Sequence, residues 1–223
     1  MRLAFHPFRL LARRHPSALL LAAQLLSLML YPAMDNTSEG RLLFGAVALV
    51  VIPLAVWVVS RGHASTRIAW MLAIPAVLLT VTGIALDERA ILPWSASLEA
   101  ILYFYAAGTL IAYMLRDPHV STDDLFAAGA AFTLLAWGFA YAYFVCQSWV
   151  PGSFTGLEPE RRRTWMELLF LSFTNLSATG AGDIIPVSSP ARALVMLEQF
   201  AGVGYIATVV SRLIGLTVVA RKR

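Results

Sequence analysis

The sequence predicts an all-α integral membrane protein, and three observations lead to this fold class. The 223 residues are 59% hydrophobic and 13% charged, which leaves more apolar surface than a water-soluble domain can bury. Several apolar stretches approach the length of about 20 residues that crosses a bilayer as a helix. Basic residues gather at the ends of these stretches, which is typical of membrane topology and not of a nucleic-acid surface.

Six apolar segments are predicted to cross the membrane as helices. In chain order they cover 17–34, 42–60, 67–86, 96–115, 124–149 and 188–220. The last segment is longer than a bilayer requires, so it should tilt or protrude. The apolar stretch 164–177 is too short to cross, and we therefore expect it to enter the membrane and turn back.

Charge counting predicts that both termini lie in the cytoplasm. With residues 1–16, the basic C-terminal end 221–223 and Arg61, Arg67, Arg116 and Arg212 inside, the cytoplasmic side holds eleven of the seventeen basic residues. Two termini on one side require an even number of crossings, which six segments satisfy. The apolar run 17–34 is long for the core of a signal peptide, so we expect it to remain as a helix.

The predicted loops are short, and no soluble regulatory domain is expected in the chain. Neither an HExxH nor a GxSxG motif occurs, and the four histidines lack metal-ligand spacing. We therefore expect no enzyme activity, no cofactor and no nucleic-acid partner, with membrane lipid as the surroundings. Segment 96–115 contains no arginine, so strong voltage gating is not expected either.

The stretch 164–186, which reads TWMELLFLSFTNLSATGAGDIIP, is the most indicative of function. In it an apolar half-helix runs into a Gly-x-Gly-Asp turn at membrane depth. Irregular backbone is tolerated there only where it is buried in protein or lines a water-filled cavity. Glycine tolerates positive φ, so successive carbonyls can turn toward one axis, and four copies would form stacked oxygen rings for a dehydrated cation.

This stretch resembles the pore region of the tetrameric potassium channel superfamily, and the resemblance extends over about 125–220. Family filters commonly read Thr-Val-Gly-Tyr-Gly-Asp, after a pore helix rich in Phe, Ser and Thr and before two apolar residues and Pro. Here 178–183 reads Ala-Thr-Gly-Ala-Gly-Asp, after the helix end 170–177 and before Ile-Ile-Pro at 184–186. The resemblance implies a bacterial-type channel of the inner (plasma) membrane.

The resemblance also implies a division of the chain into two regions. A peripheral region of four transmembrane helices covers 17–123, and the pore domain covers 124–223. Within the pore domain an outer helix is followed by the pore helix 164–177, the filter 178–183 and the inner helix 188–220. One subunit cannot encircle an ion, so a homotetramer with passive K⁺ conduction is implied.

The candidate ion-binding residues form the implied filter. They are Ala178, Thr179, Gly180, Ala181, Gly182 and Asp183. The carbonyls of the first four are the expected ligands for K⁺ or Na⁺, and Asp183 matches the carboxylate that anchors the outer end of family filters. Ala178 replaces a threonine that completes the innermost site, and Ala181 replaces a tyrosine that braces the filter. These departures keep a non-selective or sodium-permeable channel, a secondary transporter and a non-conducting scaffold open as alternatives.

Further candidate residues surround this turn. Asn175 and Ser177 end the half-helix, Glu167 begins it, and Glu198 lies partway along the last segment, so all four are expected to support the filter. Gly202 and Gly204 are either a gating hinge or small residues that let helices pack closely.

Two groups of charged residues are assigned ordinary roles. Glu99 is expected at the external membrane interface, and the run 161–163 of three arginines is expected to be a solvated charged surface.

Overall fold

The computed structural model describes residues 15–30, 51–57, 66–86, 90–116, 121–158 and 161–215. Within these ranges the regular secondary structure is helical except for one pair of very short strands. The helices are α1 (Pro16–Met29), α2 (Thr66–Ala85), α3 (Leu92–Arg116), α4 (Thr122–Trp149), α5 (Trp165–Leu176) and α6 (Ser189–Tyr205). A π-helical turn, Ile206–Val210, continues α6, and residues 211–215 are helical again.

Four of the described helical stretches are long and apolar enough to cross a membrane. They are Thr66–Gly83, Leu92–Arg116, Thr122–Trp149 and Ser189–Gly215. This confirms the all-α membrane class. The predicted first segment contains the 14-residue α1, the predicted second segment is helical over 51–57, and their remaining residues lie outside the described ranges. The count of six crossings and the cytoplasmic placement of both termini therefore stay predictions.

Helix α4 lies at the centre of the subunit, where it contacts α1, α3, α5 and α6. It begins with a capping box, because the Ser121 hydroxyl accepts a hydrogen bond from the Asp124 amide and the Asp124 carboxylate accepts one from the Ser121 amide. Its many alanines and glycines allow neighbouring helices to approach closely. At Gly138, for example, a Cβ atom would lie only 2.9 Å from the Phe104 ring of α3.

The half-length helix α5 lies within the predicted stretch 164–177 and packs between α4 and α6. Two loops around it are joined by the antiparallel strands β1 (Phe154–Thr155) and β2 (Ile185–Pro186). The segment before β1 follows α4, and β2 leads into α6. This pairing holds the segment that follows α5 against the segment that precedes α5.

The contact between α5 and α6 is closest at Gly202. A Cβ atom at this position would lie 2.0 Å from the carbonyl oxygen of Leu176, the last residue of α5. At Gly204 the corresponding space is open, with nothing within 4 Å. The geometry therefore assigns Gly202 to close helix packing, whereas Gly204 stands one residue before the end of α6, directly ahead of the π-helical turn.

We expect Gly202→Ala to lower the free energy of unfolding by about 1–3 kcal/mol, because α5 and α6 must separate to admit the methyl group. Gly204→Ala is the matched control and should be neutral or stabilising by up to about 1 kcal/mol, since alanine is the better helix former. Thermal unfolding in detergent measures both. Equal effects of the two substitutions would contradict the close contact.

Candidate functional site

Helix α5 begins with a reciprocal cap. The Thr164 hydroxyl accepts a hydrogen bond from the Glu167 amide at 3.2 Å, and the Glu167 carboxylate accepts one from the Thr164 amide at 2.6 Å. The Arg161 guanidinium donates to both oxygens of the same carboxylate, at 2.6 and 3.2 Å. Glu167 therefore fixes the start of α5, where its negative charge also complements the helix dipole.

The electrostatics of this cap follow from its contacts. Partial burial opposes ionisation of Glu167, but the hydrogen bonds from Thr164 and Arg161 outweigh it and lower the pKa of the carboxyl group below its usual 4.5. The same pairing raises the pKa of the Arg161 guanidinium.

At the C-terminus of α5, the residues that follow the helix cap its backbone carbonyl groups. The Thr174 carbonyl accepts hydrogen bonds from the amides of Thr179 and Gly180, both at 3.0 Å. The hydroxyls of Thr179 and Ser177 approach the same oxygen at 3.2 and 3.3 Å. A helix end inside a bilayer needs such partners, because no bulk water is there to supply them. The residues after α5 are thereby held against its C-terminus.

The loop 178–183 contains two residues with left-handed backbone conformation. Ala178 has φ of +58° and Gly180 has φ of +62°. Glycine adopts this conformation freely, whereas alanine pays roughly 1–2 kcal/mol for it. Strained backbone of this kind is concentrated at functional sites. The sequence indicated the need for a glycine at 180 but not the conformation at 178.

All six residues of this loop are exposed in the single subunit. Behind them Asn175 is buried, and its side-chain oxygen accepts a hydrogen bond from Gln199 of α6 at 3.3 Å. Gly182 lies near the Thr174 hydroxyl, which a Cβ atom at 182 would approach to 3.6 Å. The structure therefore brings the predicted residues 175–183 together at the C-terminal end of α5.

Glu198 lies on the hidden side of α5. It is 0% exposed, and its two carboxyl oxygens accept hydrogen bonds from Ser172 of α5 and Tyr143 of α4. Ser172 also approaches the Ala136 carbonyl of α4 at 2.8 Å. One carboxyl group thus joins three helices behind the loop. Sequence reasoning singled out Glu198 but missed Ser172 and Tyr143, although a serine within an apolar helix was an available signal.

Two aromatic residues of α5, Trp165 and Phe173, pack against α4 within the subunit. Trp165 contacts Trp137 and Tyr141 of α4, at ring-centre distances of 5.6 and 5.2 Å. Phe173 contacts Phe132 of α4 at 6.0 Å. Both side chains anchor α5 to α4 instead of filling the space beside Ala181.

Two groups of charged residues are more enclosed than the sequence indicated. Glu99 is 2% exposed and lies inside the helix packing, and its depth in the membrane stays a prediction. Of the three arginines at 161–163, Arg163 is 3% exposed and donates to the backbone carbonyls of Glu158 and Arg161. Arg162 stacks over the Phe144 ring at 5.0 Å. The run is part of the structure that holds the start of α5, because its donors have nearby acceptors that the sequence spacing did not reveal.

A family model described as "Ion channel" matches residues 129–218. This part of the chain, less than half of its length, is similar to an ion channel domain. The match covers most of α4, all of α5 and α6, and the loop between them. No curated protein and no solved structure matches the chain. The match and the four long apolar helices together support an ion channel domain in a membrane protein.

Helix α6 is strongly exposed along one apolar side in the single chain. The residues on this side include Met196, Leu197, Phe200 and Val203, each more than half exposed. An apolar helix face of this size is suited to contact with neighbouring subunits or with lipid.

We expect the protein to lose a small stabilising contribution from Glu167 in acid. Because the pKa of this carboxyl is lowered in the folded state, the contribution is present above about pH 4.5 and is lost as the pH falls below it. Its size should stay under about 1 kcal/mol, since water screens the exposed Arg161 pair.

Thermal unfolding of the wild type and of Glu167→Gln over this pH range measures the contribution. The glutamine keeps the reciprocal cap and removes the charge, so the difference between the two proteins should shrink in acid. Glu158→Gln, which also loses a contact with Arg161 but lies outside α5, is the control. A difference that is constant with pH would contradict this assignment.

Proposed function

We propose that this protein is an ion channel that conducts monovalent cations, with K⁺ preferred, through a filter formed by residues 178–183 of four subunits. The observation that carries the proposal is the pairing of a capped half-helix with a loop of left-handed residues, inside the segment that matches the family. The C-terminus of a helix is the negative end of its dipole, so a half-helix that ends in the membrane can stabilise a cation in a channel.

In this proposal α5 is the pore helix and α6 is the inner helix. The carbonyls of Ala178, Thr179, Gly180 and Ala181 replace the water of a cation, and four copies complete each ring of oxygens. The exposure of all six loop residues in the single subunit supports this role, because they are left uncovered for a shared axis. Asn175, Ser177, Glu167 and Glu198 hold the loop through the contacts described above.

A homotetramer is supported by the shape of the subunit. The loop 178–183 and the apolar side of the following helix α6 are both exposed in the single subunit. Helix α4, by contrast, is mostly buried by other helices of the same subunit. Four copies around an axis would cover the exposed side of α6 and place the four loops together. The π-helical turn Ile206–Val210, just after Gly204, is the proposed point at which the inner helix bends, since π-helical turns often mark functional positions.

Selectivity depends on how firmly the loop is held. Ala178 offers no hydroxyl for the innermost site, although Ser177 and Thr179 lie beside it with their hydroxyl oxygens 3.1 Å apart. Ala181 leaves the outer part of the loop without a bulky side chain of its own. A preference for K⁺ over Na⁺ therefore rests on backbone carbonyls and on the hydrogen bonds to Thr174.

The proposal is tested by recording the purified protein in a bilayer with K⁺ on one side and Na⁺ on the other. We expect single-channel steps and a reversal potential displaced toward the K⁺ equilibrium value. Single-channel steps with a reversal potential near zero would indicate a non-selective cation channel without a preference for K⁺. Flux that saturates as in a carrier, without steps, would favour a transporter, and no flux at any voltage would favour a non-conducting scaffold.

Gly180→Ala should abolish conduction while leaving assembly intact. The new methyl group has open space around it, but the positive φ at this position costs alanine roughly 1–2 kcal/mol. We expect the backbone to relax away from this conformation, which changes the direction of the filter carbonyls. Gly152→Ala is the matched control, because Gly152 has φ of +76° and equally open space but lies outside the loop. Ion flux and size-exclusion profiles measure both variants. Normal flux in Gly180→Ala would refute the filter assignment.

Ala181→Tyr should move the reversal potential further toward the K⁺ equilibrium value, because a large ring beside the loop restores the missing brace. Ala181→Leu adds bulk without a hydroxyl and should give a smaller shift. The comparison uses the same ion gradient for both variants and for the wild type. An unchanged reversal potential in Ala181→Tyr would show that bracing does not limit selectivity.

A further inference from the structure

Helix α3 carries a groove along one side of its second half, away from the proposed filter. The groove has a volume of about 450 Å³ and is lined from Phe104 to Arg116 by residues of α3 that recur every three or four positions. Its volume is within the range of about 300–1,000 Å³ that is common for small-molecule sites. The groove is therefore large enough to hold part of a ligand.

The lining is small at the bottom of the groove and mostly apolar. Gly108 and Ala112 follow each other by one helical turn, and a Cβ atom at Gly108 would meet nothing within 4 Å. The larger lining residues include the aromatic side chains of Tyr105 and Tyr113. The Thr109 hydroxyl donates a hydrogen bond to a backbone carbonyl of its own helix at 2.9 Å, so it needs no partner in the groove.

The length of the groove matches one leaflet of a bilayer. Phe104 lies at the middle of the 25-residue helix, and Arg116 is its last residue. At a rise of 1.5 Å per residue, the groove between them is about 18 Å long. The hydrocarbon core is about 30 Å thick, so one leaflet is about 15 Å deep. Because α3 is long and apolar enough to cross the membrane, the groove extends from near the midplane to the interface where α3 ends.

Arg116 places a positive charge at the interfacial end of the groove. It is exposed, and the ion pairs found among the described residues all lie at 158–167 instead. The two carboxylates at the start of α4 have other partners: Asp123 accepts from the Ser17 hydroxyl at 2.9 Å, and Asp124 forms the cap with Ser121. A guanidinium at this depth is suited to a phosphate group, to which it can donate two parallel hydrogen bonds.

We propose that this groove binds one acidic phospholipid, with an acyl chain over Gly108 and Ala112 and the phosphate group at Arg116. The apolar lining matches the chain, and the charge at the end matches the headgroup. The surrounding leaflet brings phosphate to the depth of Arg116, whereas a neighbouring helix in the groove would have to supply its own anion. This favours lipid over a second copy of the chain. The site does not depend on the proposed function.

The inner end of the groove lies where α3 is joined to α4. The Phe104 ring contacts the Phe139 ring at 4.8 Å and lies directly against Gly138. A lipid in the groove therefore adds contacts to the folded arrangement of these helices. A ligand that binds the folded state and not the unfolded state raises the thermal unfolding midpoint.

The proposal is tested by thermal unfolding of the purified protein in detergent, titrated with phosphatidylglycerol or with phosphatidylcholine of the same acyl chains. We expect a saturable rise of the midpoint that needs less phosphatidylglycerol than phosphatidylcholine. Arg116→Gln should weaken the binding of phosphatidylglycerol about fivefold and leave that of phosphatidylcholine unchanged. Equal affinity of the wild type for the two lipids overturns the assignment of an acidic headgroup.

Gly108→Leu tests the groove itself, because the new side chain enters open space. Without lipid, this variant should unfold at or above the midpoint of the wild type, since leucine is the better helix former. With lipid, it should lose most of the shift. Ala112→Leu fills the same groove one turn later and serves if Gly108→Leu does not fold. A shift in these variants equal to that of the wild type overturns the site.

Arg67→Gln is the matched control for charge. Arg67 is exposed in the first turn of α2, which begins on the side of the membrane where α3 ends, but it does not line the groove. It should leave the affinity for phosphatidylglycerol as in the wild type. Equal losses in Arg67→Gln and Arg116→Gln would show general attraction to surface charge and overturn the site. A smaller assembly of Gly108→Leu in size exclusion would show that a second copy occupies the groove, which also overturns it.

Discussion

The end of α5 imposes the constraint on which the surrounding structure depends, because the last carbonyl groups of a helix have no partners within that helix. Carbonyls without partners cost several kcal/mol each in hydrocarbon. The chain meets this constraint by folding the next residues back, so that the amides of Thr179 and Gly180 reach the Thr174 carbonyl. That return requires left-handed backbone at 178 and 180. The conformation of the candidate filter thus follows from satisfying one helix end.

The position of α5 is fixed from behind by two further contacts. Glu198 joins α6 to Ser172 of α5 and Tyr143 of α4, and Gly202 lets α6 lie directly against the Leu176 carbonyl. A buried carboxyl group shared by three helices resists sliding of any one of them, because each displacement leaves a buried polar atom unpaired. The loop that follows α5 therefore rests on a support that is rigid on its hidden side and open on the other.

The peripheral helices are connected to this support through aromatic rings. Trp165 begins α5 and packs against α4, whose rings in turn contact Tyr103 of α3. A change in the packing of α3 therefore reaches α5 by direct contact. This arrangement gives the peripheral helices a route of direct contacts to the start of α5, in a chain whose segment 96–115 has no arginines for sensing voltage.

The sequence by itself determined the membrane class, the half-length helix and the glycines of the turn, because these depend on composition, segment length and local backbone freedom. It also indicated Glu167 at the start of α5, where a negative charge complements the helix dipole, but not the reciprocal cap with Thr164. The burial of Glu99 and Arg163, the partners of Glu198 and the role of Gly202 were decided only by the tertiary structure. Tyr143 and Glu198 lie 55 residues apart, and Ser172 lies 26 residues from the same carboxyl group. Such contacts depend on which helices pack together and at what depth, and no periodicity along the chain encodes that choice.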